Sequence, residues 1–416
     1  MLKNQDPVAY ENKLKELTLF MGEVFKDPDA RRELFDLAKI EGNDDDIEYS
    51  MKKLFSESTN PLTRQYSAIV SAFSKNAENH RVAGEDDFNE QDLIDFINDN
   101  NIGILAPYLY DNFEPESLTE LTVSWWTEEK EIEELSKNPD WDGHTPGIKV
   151  KLNEDGNFIQ FRKTETNYFS NDLVYANDDY AYTNPTVVFG SFNDDEMIVN
   201  PDDGWMGGGP SLPTSTIYRP HQIGVNCNNF DFNRESLRYR MPEFKMTGNT
   251  RIFPHTNKFS LWLAIGQYTI GTQTSINLNQ LALEQKIARC KGSGCTWKTN
   301  FFPALVTNWA ETSANIQIIM AYRKRQSDIV EHTVQVGVTS STTGQTSNIS
   351  QGLKINQERH RLIFSQTWGK CSEMLGQYGV DQQNGLRDGL AIHQFNLHRN
   401  DFKVQFTLVP EITRFE

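Results

Sequence analysis

Apolar positions along this chain follow two rhythms. From Val8 to Asn100 they recur every three or four residues, the spacing of one helical face. In Val8–Phe25 the stripe is Leu14, Leu17, Met21, Val24 and Phe25. Asp27-Pro28 ends that helix and opens the next, with Asp27 as N-cap and Pro28 at the first helical position, where its missing N–H costs nothing. Leu34, Leu37 and Ala38 carry the second stripe, and Gly42-Asn43-Asp44 is a stop and turn. A third helix is predicted through Ile47, Met51, Leu54 and Phe55. Thr59-Asn60-Pro61 opens a fourth with Tyr66, Ile69, Val70 and Phe73 inward, and Glu90 a fifth with Leu93, Ile94 and Ile97.

Beyond Leu118 the period falls to two. Leu121, Val123 and Trp125 alternate as a first strand, and Glu128–Glu134 reads as a short, solvated acidic helix. Asn138–Gly147 is dense in turn residues and serves as a linker. Ile148–Leu152 and Phe158–Phe161 flank the turn Asn153–Gly156 as a hairpin. Further strands are predicted at Thr186–Phe192, Arg238–Met246, Lys258–Ile265, Tyr268–Ile276, Asn315–Tyr322, His332–Val338, Leu362–Thr367 and Phe402–Leu408, with a helical insertion at Leu278–Ala288. The class is α+β: an acidic α-helical domain over 1–117, a linker with a short strand over 118–147, and an antiparallel β-sandwich-like region over 148–416, as one sandwich or two.

Charge sharpens this division. Residues 1–150 hold 33 of the 58 acids and 15 of the 40 bases, a net −18 that equals the charge of the whole chain, so 151–416 is formally neutral. An acidic front repels nucleic acid and anionic membrane alike, and no nucleic-acid partner is expected. Asp44–Asp46 and Glu85–Asp87 lack the alternating ligands and mid-loop glycine of an EF-hand and read as solvated turns. No stretch approaches 18 uninterrupted apolar residues, which excludes a transmembrane helix from the reading. The first residues show no apolar h-region. Either export proceeds without a Sec signal, from the cytoplasm, or Met1 replaces a signal already removed.

The candidate chemistry is sparse. Asp194, Asp195 and Glu196, followed by Asp202 and Asp203, form the densest carboxylate group of the neutral region. On a loop they suit Ca2+ or paired acids for glycoside hydrolysis, against the plainer reading of a solvated loop. Trp205 and Met206, before the glycines at 207–209, mark an adaptable contact loop or a long connection. Cys290-Lys-Gly-Ser-Gly-Cys295 suits a disulfide-bridged turn, which favours an oxidising destination; unpaired thiols and, on poor ligand spacing, zinc are the alternatives. The eight histidines include no H-E-x-x-H, and no G-x-S-x-G elbow occurs, so no catalytic residue is assigned.

Val334–Ile355 alternates Val334, Val336 and Val338 with polar residues, crosses a Ser/Thr-rich tip and returns through Leu353 and Ile355. It resembles the membrane-inserting hairpin of β-barrel pore-forming toxins. Each arm nevertheless reads as shorter or less apolar than the roughly nine to eleven residues of a membrane-spanning strand. The expectation is an ordinary edge hairpin without membrane insertion.

Phe25-Lys-Asp-Pro-Asp-Ala-Arg-Arg-Glu-Leu34, within Leu14–Ile40, is similar to the helical N-terminus of uncharacterised exported bacterial proteins, often lipoproteins, in which a helix–Asp-Pro–helix unit precedes a β-rich region. Tyr239–Lys245 and the Ser/Thr-rich hairpin fit the same pattern. This chain has no lipobox cysteine near its start, and the resemblance implies no activity for any residue. Three functions follow as expectations. The first is a non-enzymatic exported recognition or structural protein with a protein or glycan partner. The second is an effector or toxin carried by a contractile injection apparatus, and the third a hydrolase using Asp194, Asp195 or Asp202.

Overall fold

The computed structural model describes residues 6–39, 47–60, 62–82, 89–138, 141–153, 173–192, 217–218, 228–231, 233–269, 273–306, 315–323, 330–339, 346–355, 360–369, 385–388, 390–396 and 403–414. It divides into two units. The first comprises Met1–Gly207, Ile252–Thr256 and Lys286–Arg289, so the chain returns to it twice after leaving.

The first unit is α+β, with helices against a mixed six-stranded sheet. Helix α1 (Pro7–Val24) is capped by Asp6 and α2 (Pro28–Asp36) by Asp27, whose carboxylate accepts from the N–H groups of Asp29 and Ala30. Helices α3 (Met51–Glu57), α4 (Ala68–Val82) and α5 (Glu90–Asp99) complete the helical front; α6 (Leu109–Asn112), α7 (Glu128–Lys137) and α8 (Asp178–Thr183) sit among the strands in sequence. The strands are β1 (Ile47–Ser50), β2 (Ile102–Ala106), β3 (Glu120–Trp126), β4 (Thr145–Lys151), β5 (Leu173–Ala176) and β6 (Thr186–Ser191), in spatial order β1-β2-β6-β3-β4-β5. Only β3 and β6 run parallel; the other neighbours are antiparallel.

Strands β2, β3 and β6 lie buried almost end to end, which explains the near-continuous apolar sequences of β2 and β6; in β3 the buried Thr122 and Ser124 hydroxyls hydrogen-bond to those of Tyr180 and Thr145. Gly22 lets α1 close on this sheet, since a Cβ there would lie 2.9 Å from Cγ2 of Val150 and 3.4 Å from Cγ2 of Val123. Phe20, Phe25, Phe73 and Phe189 fill the space between helices and sheet, with Phe20 and Phe73 edge to face at 4.8 Å.

The boundaries read from the sequence, at 117 and 147, fall inside this sheet. β3 pairs with β4 across the segment expected to be a linker, and the front itself contributes β1 and β2. Ile47 begins a strand, and the helix expected there starts four residues later at Met51. The register Ile47↔Ala106 through Ser50↔Gly103 supplies the reason: pairing with β2 overrides a helix-like local pattern. The partner expected for Ile148–Leu152, Phe158–Phe161, lies outside the described residues, and β4 pairs with β3 and β5.

The second unit is built of strands: β7 (Ile217–Tyr218), β8 (Glu235–Met246), β9 (Asn257–Thr269), β10 (Gln273–Ile287), β11 (Lys298–Val306), β12 (Asn315–Arg323), β13 (Val330–Thr339), β14 (Thr346–Ile355), β15 (His360–Gly369), β16 (Leu386–Arg387), β17 (Leu390–Asn396) and β18 (Lys403–Arg414), the last residues of β10 counting with the first unit. One sheet has the order β11-β8-β18-β17-β16, with β7 on β18; a second has the order β10-β9-β12-β15; β13 and β14 form a two-stranded sheet of their own. This antiparallel architecture is not a closed barrel. The helix expected at Leu278–Ala288 is instead the end of β10, where pairing in the sheet overrides the helix-favouring Leu, Ala, Glu, Gln and Lys. Leu237, Met241, Phe244, Phe406 and Ile412 are fully buried along β8 and β18.

Candidate functional site

Among the described residues of the first unit, ionisable side chains gather in a buried network at the end of β3. Trp126 closes that strand, and Thr127 caps α7 by accepting from the N–H of Lys130. One turn on, Glu131 is 1% exposed while its neighbour Ile132 is 59% exposed, the reverse of their hydropathy. Oε2 of Glu131 accepts from Nε1 of Trp126 at 2.9 Å and lies 3.2 Å from Nε2 of His255. The imidazole is itself buried, edge-on to Trp126 at 4.8 Å and to Phe192 at 5.8 Å.

His255 belongs to the returning segment Ile252–Thr256, which a second set of contacts holds in place. Nε and Nη2 of Arg289 fork onto the Asp178 carboxylate, with Nε at 2.6 Å. Nη1 donates to the carbonyls of Ile252 and His255. Tyr108 Oη donates to Oδ1 of Asp178 at 2.7 Å, and Thr256 Oγ1 to Glu48 at 2.9 Å. Gly143 is required beside this segment. Its φ is +88°, in the left-handed region, and a Cβ would stand 2.7 Å from the amide nitrogen of Phe253. Next to it, burial alone would raise the Asp142 carboxyl. The hydrogen bonds from His144 and Asn177 outweigh burial and hold it below the ordinary carboxylate value.

A carboxylate bonded to an imidazole invites an acid–base reading. Here both are sealed behind aromatic rings, and the carboxylate oxygen is engaged with the indole N–H and the imidazole. A general base must reach the proton it abstracts, and the hydrogen bonds of this pair tie β3, α7 and the returning segment together. Sequence spacing concealed this network, because Glu131 and His255 are 124 residues apart and Asp178 and Arg289 are 111 apart.

The second unit carries a different arrangement. Cys290 and Cys295 are disulfide-bonded with Cα atoms 4.8 Å apart, around a 3-10 turn at Gly292–Gly294 in which Gly292 takes φ +55°. Asn249 docks this turn by accepting from the Cys290 N–H at 3.0 Å and donating to the Cys290 carbonyl at 3.2 Å. Just after the bridge, half-buried Trp297 lies under the guanidinium of Arg387 at 4.9 Å, and Nε of Arg387 donates to Glu243 at 2.7 Å. Arg240–Glu411 and Arg414–Glu235 repeat the Arg–Glu pairing on the same sheet, each glutamate nearly buried.

Asp194, Asp195, Asp202 and Asp203, the carboxylates weighed for Ca2+, lie outside the described residues, as do Trp205, Met206, Asp44–Asp46 and Glu85–Asp87. Among the described residues no three His, Cys, Asp or Glu side chains gather as a metal site. No helix among them is long and apolar enough to cross a membrane. Set against known proteins, the chain matches no family model, no curated protein and no solved structure.

Proposed function

We propose that this protein works by contact rather than by catalysis, as an exported recognition protein whose β-rich unit, its two larger sheets packed as a sandwich, meets a protein or glycan partner. The observation that carries this reading is the disulfide turn at Cys290–Cys295 with the Trp297–Arg387–Glu243 stack beside it. A disulfide persists in an oxidising compartment, which favours export. An aromatic ring and an arginine held rigidly by a carboxylate are the side-chain types that dominate contact surfaces. The buried Glu131–His255 pair, engaged in packing, supports the non-enzymatic half of the proposal.

The test uses the full-length protein purified without reductant. Labelled protein is applied to intact cells and immobilised glycans, with Trp297→Ala and Arg387→Ala alongside. Binding that falls about tenfold in both variants, with folding retained, supports the proposal; binding indifferent to both sinks it. A second reading, an effector or toxin delivered by a contractile injection apparatus, is favoured by the two-faced hairpin of β13 and β14. Its test is loss of viability when the full-length protein is introduced into target cells.

A further inference from the structure

The ten-residue arms of β13 and β14 pair without a bulge from Val330↔Ile355 to Thr339↔Thr346. Both arms thus exceed the length read from alternation alone. The register places Val334, Val336 and Val338 on one face with Ile349, Leu353 and Ile355. Thr333, Gln335 and Thr339 share the other face with Thr346, Asn348 and Ser350. His332, Ser347 and Gln351 interrupt the apolar face. The opposite charges of Glu331 and Lys354 pair in register at the base, on the polar face. From His332 to Leu353 the sequence contains no Asp, Glu, Lys or Arg, in a chain that is 24% charged.

These features meet the demands of a bilayer. Ten residues at about 3.4 Å each make a strand of about 34 Å. Tilted by about 45°, it spans about 24 Å, close to the apolar band of a membrane β-barrel. Such a barrel needs one apolar face for lipid and one polar face for its lumen, which is the division the register makes. An uncharged tip crosses the hydrocarbon at least cost. The uncharged segment Phe259–Leu283 differs, because β9 is bonded into a sheet with β12. β13 and β14 pair only with each other among the described strands, although β13 lies near β9 and β12. Their release therefore breaks no ladder to another of the described strands.

We propose that the β13–β14 hairpin is a membrane-inserting element that leaves its place in the second unit at a lipid surface, several copies closing their polar faces around a lumen. Closure is required because an open pair would leave strand edges unsatisfied in lipid. The proposal rests on the effector reading and names its target as the bilayer itself.

The experiment takes full-length protein and vesicles of phosphatidylcholine, which carry no net charge to repel the acidic front, loaded with a self-quenched dye. Wild type is expected to release the dye. Val336→Arg, on the lipid face, should lower the rate about tenfold or more, and Gln335→Arg, on the lumen face, should stay within about twofold. An environment-sensitive fluorescent amino acid at Val336 should shift to the blue with vesicles, while the same probe at Gln335 should stay in a watery environment. This comparison does not depend on either arginine variant folding. No release and no shift at either position overturns the proposal, as does release equal in all three proteins. Killing of target cells that survives Val336→Arg leaves the effector reading standing and removes the hairpin from it.

Discussion

Glu131 and Glu33 show how much a single buried carboxylate decides. Glu131 receives the Trp126 indole N–H and faces His255, and all three are buried. Glu131→Ala leaves both partners without their acceptor in an apolar pocket and should cost about 2–4 kcal/mol. Glu131→Gln keeps an oxygen for the indole and should cost about half as much. Chemical denaturation measures both, and equal losses would mean that volume matters there rather than hydrogen bonding. Glu33 makes a prediction about pH. Burial raises its carboxyl above the ordinary 4.5, against hydrogen bonds donated by the Ile69 N–H and the Ser67 hydroxyl. The folded protein thus holds this proton more tightly than the unfolded chain. Stability from this group is complete below about pH 4.5 and is lost as pH rises through the higher folded value. Glu33→Gln keeps an acceptor and has no proton to lose. Its stability relative to wild type should improve as pH rises from about 4.5 through the higher folded value. A difference that stays constant across that range would refute the assignment.

At the scale of elements, much of the chain was legible where local chemistry and tertiary packing agree. The Asp27 cap with Pro28, the stripe Leu14–Phe25 and the strands expected at β3 and β12 all survive in the structure; α1 buries the face its period marks, whereas β3 is buried on both faces. Disagreement begins where a distant strand outweighs a local preference. Ile47–Ser50 pairs with β2 and Gln273–Ile287 joins a sheet, though both carry helix-like neighbours. Helix α7 hid its role for the same reason. Its acids resemble a solvated face, yet Glu131 turns inward because His255, far along the chain, is waiting for it. The bridged turn is a local feature with a local prediction. Closing so short a loop removes little chain entropy, so Cys290→Ser should lower stability by only about 1–2 kcal/mol without unfolding the protein. Asn249 still accepts from the residue 290 N–H in that variant, which limits the damage. Global unfolding of Cys290→Ser would show the bridge holding far more than its own turn.

At the scale of the molecule, the first unit is not a stretch of chain that ends before the second begins. It is completed by nine residues from two later segments, Ile252–Thr256 and Lys286–Arg289. Those residues supply His255 to Glu131, Thr256 to Glu48, the Arg289 fork to Asp178, and Phe253 to a core that includes Leu105, Tyr108, Trp126 and Phe192. A cut after residue 207 therefore removes partners from three carboxylates and one aromatic ring from a packed cluster. Several kilocalories per mole would be lost from a domain whose whole stability is about 5–15 kcal/mol. A fragment of residues 1–207 should keep helical circular dichroism, bind a hydrophobic dye and melt over a broad urea range, whereas the full chain melts cooperatively. In the full chain, Arg289→Ala should reproduce part of that loss, about 2–4 kcal/mol, because it strips the Asp178 carboxylate and the carbonyls of Ile252 and His255 of one shared donor. A fragment 1–207 that unfolds in one sharp transition, together with a silent Arg289→Ala, would mean that the returning segments decorate the first unit and do not complete it.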